Sequence, residues 1–185
     1  MVLACHDLRT PLATVHGFAR TLAGMEAMDD PARRYVMMIE SASDQLAELV
    51  DELALAARIE AGRYDPVPAE VDTIELARAA AARLGEERVA VAGEGARVSL
   101  DVHATERGVA ALAQCALRYG GLERVDLAVR GPELELAPVT PAAAPVLLGE
   151  DLRDLGAAVA GRLLAAQGGS LALAGEMLRI ALTGS

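Results

Sequence analysis

Two long apolar runs that step by fours and threes, with a short acidic break between them, limit this chain more than any other feature. The first, between Met1 and about Met28, is Met1, Cys5, Leu8, Leu12, Val15, Ala19 and Leu22. The second is Tyr35, Ile39, Ala42, Leu46, Leu49, Leu53 and Ala56. That spacing gathers each set on one stripe of a helix and favours supercoiled packing against other helices. Asp29-Asp30-Pro31 reads as the turn between them, with Asp30 as N-cap and Pro31 at the first helical position, and Gly62 as the left-handed stop of the second helix. Residues 1–63 thus form a helical hairpin, and a lone hairpin leaves half of each stripe wet. Pairing two copies into a four-helix bundle would bury it, so a homodimer is expected.

Near the start of the first helix stands His6-Asp7-Leu8-Arg9-Thr10-Pro11-Leu12. A neutral imidazole is a good nucleophile for phosphorus, and a neighbouring carboxylate can hold its tautomer and stabilise the imidazolium that forms. Thr10, four positions after His6, shares its face, while Leu8 and Leu12 point elsewhere. Pro11 removes a backbone donor, so a bend is expected just after the histidine. Ala13 and Gly17 extend a small-residue face that a partner could approach closely. His16 and His103 lack such company and read as packing or surface histidines.

The string resembles the H box of bacterial two-component sensor histidine kinases at every position. The likeness continues through Leu46-Ala47-Glu48-Leu49-Val50-Asp51-Glu52-Leu53 to Arg58-Ile59-Glu60-Ala61-Gly62. It implies a dimerisation and histidine phosphotransfer domain in which His6 is the phospho-acceptor and Asp7 the acid/base helper. Thr10 would orient water when a response regulator is dephosphorylated, and Arg9, Ala13 and Gly17 would border the docking face for receiver domains.

Composition narrows the remainder. The chain of 185 residues carries a formal charge of −10 and no lysine, which argues against nucleic acid as a partner. Cys5 and Cys115 do not make a disulfide framework, and a reducing cytoplasm fits. No run is long and apolar enough to span a membrane, and the start lacks a secretion signal. With one Phe, three Tyr and no Trp, the core has to be built from small aliphatic groups.

After a linker at 64–71 punctuated by Pro66 and Pro68, residues 72–185 alternate helices and strands. Expected are a helix from Asp72 to Leu84 and short strands at 88–91 and 97–100 around a Gly93-Glu94-Gly95 turn. A helix at 104–119, strands at 124–129 and 133–137, a helix at 151–167 and strands at 170–174 and 177–182 complete the pattern. The order resembles a reduced form of the α/β sandwich that binds ATP in histidine kinases. The likeness is strongest at Ala116-Leu117-Arg118-Tyr119-Gly120 and from Leu155-Gly156 to Gln167-Gly168-Gly169.

Against that family pattern the nucleotide elements are degenerate. Cys115 stands where the family's magnesium-holding asparagine would be, and a thiol is a poor ligand for that hard cation. Ala137-Pro138 replaces the adenine-reading aspartate and its glycines. Asp154 replaces the first glycine of a phosphate-binding turn, and too few residues separate Pro145 from Asp151 for a flexible lid. The expectation is a phosphorelay protein, a histidine phosphotransferase. His6 would exchange a phosphoryl group with receiver aspartates, no cofactor would be bound by this chain, and the receiver would supply magnesium. The alternatives are a kinase core with an aberrant ATP site that autophosphorylates on His6, and a response-regulator phosphatase or binding scaffold.

Overall fold

A computed structural model of the chain describes residues 2–24 and 29–182, with side chains at residue 8 and from residue 10 onward within the first helix. The chain divides into two compact units at Ala61/Gly62. The first is a hairpin of α1 (Val2–Ala23) and α2 (Asp30–Glu60). The cap of α2 is Asp29 rather than Asp30: its carboxylate accepts a hydrogen bond from the Ala32 N–H at 3.1 Å, leaving Asp30 in the first turn, where a negative charge also opposes the helix dipole. Gly62 follows α2 with φ +61°, the left-handed stop expected there.

The hairpin sorts its residues by size. Val36, Ser43, Val50 and Ala57, seven apart, are buried, together with Ala54, Ala56 and Ala19 of α1. Of the anticipated second stripe only Ala56 is counted there, whereas Tyr35, Ile39, Leu46, Leu49 and Leu53 face outward, as do Leu8, Val15 and Leu22. Small side chains let the two helices approach each other, and the large ones form a separate outward stripe.

The second unit contains β1 (Ala69–Asp72), α3 (Thr73–Ala82), β2 (Val89–Gly95), β3 (Arg97–Leu100), α4 (Val102–Gly120), β4 (Val125–Gly131) and β5 (Glu133–Ala137). Then come α5 (Ala144–Leu147), α6 (Leu155–Ala166), β6 (Ser170–Ala174) and β7 (Met177–Ala181). Five strands form one sheet in the order β2-β4-β5-β7-β6, and β1 pairs antiparallel with β3. Alternate residues Val125, Leu127, Val129, Leu134, Leu136, Leu178 and Ile180 point from the sheet into one core. Leu76, Leu112, Leu117 and Leu164 meet them from α3, α4 and α6, giving a helix layer on one face of an α/β sheet.

Two expectations are corrected here. Residues 69–71, read as linker, belong to β1, because β3 offers them an antiparallel edge. The same stretch is tied down further by Tyr64, whose hydroxyl donates to Asp101 at 3.0 Å. Gly93-Glu94-Gly95 is not a hairpin turn. β2 runs through it in parallel register with β4, and Gly93 at φ +113° sits where a Cβ would collide with the Val129 carbonyl. The chain changes direction only at Ala96, where the Thr73 hydroxyl donates to Gly131 O and accepts from Ala96 N.

Candidate functional site

His6 and Asp7 lie on the backbone of α1, one to two turns from its start; their side chains, like that of Arg9, lie outside the described residues. Thr10 is exposed on the same helix. Pro11 is accommodated inside α1, which is assigned without a break, so the expected bend does not end the helix. The Thr14 hydroxyl donates to Thr10 O at 3.0 Å, the back-bond to the preceding turn that a helical threonine commonly makes.

Ala13 is exposed and so is Gly17, where a Cβ would meet nothing within 4 Å. Between α1 and α2, Leu12, Ala13, His16, Ser43, Asp44, Ala47 and Asp51 line a cavity of about 330 Å³. His16 is more than a surface histidine. Its Nδ1 lies 3.1 Å from Asp44 Oδ1 across the hairpin, close enough for an ion pair once protonated although off the line of a hydrogen bond. His103 is exposed, as anticipated.

One residue on this face escaped the sequence reading. Phe18, the chain's single phenylalanine, is 68% exposed, four positions after Thr14 and eight after Thr10. The signal was available: an aromatic side chain off the apolar stripe of an amphipathic helix has no intramolecular reason to be there.

The second unit brings together two of the three degenerate nucleotide positions. Cys115 on α4 has no exposed surface, and burial together with the charge of Asp154 pushes its thiol from 9.0 up to about 12. Asp154 is the N-cap of α6, accepting from the Ala157 N–H at 3.0 Å. Its carboxylate is therefore occupied by the helix end that would otherwise face an anion. After Ala137 the chain turns inward as Val139 and then α5, a short helix that the proline-rich sequence disguised. Tyr119 carries two cations over its ring, Arg118 at 5.7 Å and Arg153 at 5.4 Å, and its hydroxyl donates to Arg153 O at 2.8 Å. A buried thiol and a carboxylate already used as a helix cap are poor ligands for a hard cation such as magnesium.

Residues 4–62 match the model of the His Kinase A (phospho-acceptor) domain. An uncharacterized sensor-like histidine kinase of Rhizobium meliloti is 30% identical over 145 residues, 71% of this chain and 28% of that protein. The probable sensor histidine kinase TcrY of Mycobacterium tuberculosis is 28% identical over 87 residues, 47% of this chain and 18% of its own length. The chain thus spans less than a third of the curated relatives it matches. Full-length ShkA, solved in complex with AMPPNP, superposes with a TM-score of 0.70 at 24% identity, over 99% of this chain and 46% of that one. The ATP binding domain of PrrB from Mycobacterium tuberculosis gives 0.51 at 23% identity, over 66% of this chain and 99% of that one.

Fold and sequence together define the class: a phospho-acceptor hairpin followed by an α/β domain of the histidine kinase ATPase type. The chain is built like the core of a two-component sensor histidine kinase. Among the described residues no helix is long and apolar enough to cross a membrane.

Proposed function

We propose that this core works as a histidine phosphotransferase. His6 takes a phosphoryl group from the aspartate of one receiver domain and gives it to another, with no nucleotide bound by this chain. In the accepting step the imidazole lone pair forms the N–P bond as the aspartyl P–O bond breaks. The receiver's carboxylate leaves, and Asp7 balances the cationic ring. Asp7 and Thr10 together would orient water for dephosphorylation. The outward stripe of Leu8, Val15, Leu22, Leu46, Leu49 and Leu53 supports a second copy of the hairpin as partner, making a four-helix bundle. Thr10, Ala13, Gly17 and Phe18 supply the face for the receiver, and the cytoplasm is where such receivers are met.

One observation carries the choice against ATP as phosphate source: Cys115, at the metal-holding position, is sealed from solvent beside the capping Asp154. A second reading, a kinase core that autophosphorylates on His6, is favoured by the comparisons. The curated relatives include sensor kinases, and a structure superposing over nearly the whole chain was solved with AMPPNP.

The deciding experiment incubates the protein with radiolabelled Mg-ATP in one arm. In the other it meets receiver domains charged by radiolabelled acetyl phosphate, with His6→Ala beside wild type in both. Label on wild type from receivers alone is the expected result. Efficient label from ATP alone would transfer the assignment to the kinase. Loss of label from the receiver that persists in His6→Ala would make the chain a phosphatase acting through Asp7 and Thr10.

A further inference from the structure

The corner where Cys115 and Asp154 meet is filled by the chain itself. Past β5, Val139 is buried and its N–H donates to Glu176 O at 2.7 Å in the turn between β6 and β7. Thr140 O accepts from both Ala143 N and Ala144 N at 3.0 Å and so starts α5. Ala143, Val146 and Leu147 are then buried in the same core as Cys115, Leu112, Ala116 and Ala157, with α5 touching both α4 and α6. The segment closes on itself, Glu150 N and Asp151 N both donating to Pro145 O at 2.9 and 3.0 Å. Its far end is fastened twice: Asp151 accepts from the Arg153 N–H and from its Nε at 2.7 Å, and Tyr119 holds Arg153 O.

We infer that residues 138–147 are a permanent plug, whose buried side chains Val139, Ala143, Val146 and Leu147 are seated between α4 and α6. A flexible cover would have to leave without cost, but this segment cannot lift without exposing Val139, Val146 and Leu147 to water. Nucleotide binding is therefore lost by occupancy as well as by the exchange at Cys115, and restoring the metal-holding amide alone does not restore it. The inference deepens the nucleotide-independent reading, on which its meaning for function rests, yet it fails separately from it.

The test uses the full chain. Wild type, Cys115→Asn and Cys115→Asn/Asp154→Gly are titrated with Mg-ATP by calorimetry, and receiver-to-His6 transfer is followed in parallel. No binding tighter than about 1 mM is expected in any of them. Saturable binding by either substituted form overturns the plug, whether or not transfer from receivers persists. Absence of transfer with no nucleotide binding would sink the phosphotransferase and leave the plug standing.

Two measurements keep the inference exposed should the substituted chains fail to fold. In limited proteolysis of wild type, cleavage within 139–147 is expected only at the rate of unfolding of the whole domain, and rapid cutting there in the folded protein contradicts it. Leu147→Ala is expected to lower the domain's Tm by roughly 10 °C, as for other core truncations. An unchanged Tm would make the segment a loose cover.

Discussion

The hairpin and the sheet domain use the same aliphatic alphabet in opposite ways. Among the described residues of the hairpin the buried positions are Val36, Ser43, Val50, three alanines of α2 and Ala19 of α1, while Leu46 is 52% and Met38 67% exposed. In the sheet domain most leucines are inside: Leu76, Leu112, Leu134 and Leu136 have no exposed surface. At about 25 cal/mol per Å² of apolar area, the second arrangement supports a fold by itself and the first does not. The difference teaches that the sheet domain closes its own core, whereas the hairpin leaves its large aliphatic side chains facing outward. His6, the proposed phospho-acceptor, lies on the backbone of the hairpin.

The largest effect should come from the chemistry itself. His6→Ala is expected to abolish label transferred from a phosphorylated receiver, a loss of at least about a thousandfold, with circular dichroism and dimer mass unchanged. Asp7→Asn should lower the transfer rate by about a hundredfold and leave receiver binding intact, as removal of an acid/base partner does. Retained transfer in His6→Ala would break the link between the hairpin and phosphoryl chemistry.

Next comes the outward stripe. Leu46→Asp with Leu53→Asp removes two apolar contacts per chain, each worth about 1.5–3 kcal/mol when buried and counted twice in a symmetric pair. The expected result in light scattering is a monomer with reduced helicity, whereas the sheet domain's melting transition stays in place. A stable dimer would mean that the stripe serves another surface. Leu134→Ala inverts the experiment: it should cost the sheet domain about 2–5 kcal/mol and leave the dimer untouched.

How much of this was legible beforehand follows the same division. The hairpin, its end at Gly62 and the seven residues from His6 to Leu12 could be read because helical periodicity and a dense motif are local properties. Which stripe faces inward could not be read, since Tyr35 and Val36 differ by one position and only tertiary packing decides between them. In the second unit β5 and β6 coincide with the expected strands, yet β2 does not turn at Gly93. A glycine tolerating close backbone approach looks in sequence like a glycine making a turn. The plug was invisible because Pro138, Pro141 and Pro145 punctuate it as a loop, and burial of Val139 and Val146 is a long-range outcome.

Cys115 gives a gentler probe of how finished the sheet domain is. With its thiol pushed up to about 12 against 9.0 in the unfolded chain, the folded state favours the protonated form. Its stabilising contribution is full below pH 9.0 and declines as pH climbs toward about 12, because the unfolded chain releases the proton first. In a Cys5→Ser background, reaction with a thiol reagent at pH 8 should therefore proceed only at the unfolding rate. Fast labelling of the native protein would show that the corner opens.

The smallest expected effect is also the sharpest check on completeness. On the sheet face away from the helices, Glu135 lies in register with Ala128 and Arg179, and its carboxylate accepts from Arg130 Nε at 2.6 Å with Arg179 Nε at 3.9 Å. Both arginine side chains are more than half exposed whereas the Glu135 side chain is only 10% exposed, so water screens the pair from one side and Glu135→Gln should shift the urea midpoint by about 1–2 kcal/mol equivalent. A cost of about 3 kcal/mol or more would be the signature of charges taken out of water. That result would mean the alanine-lined outer face, with Ala92, Ala128 and Ala172 across the same row, is covered in solution. The sheet domain would then join the hairpin as a unit that needs a second surface.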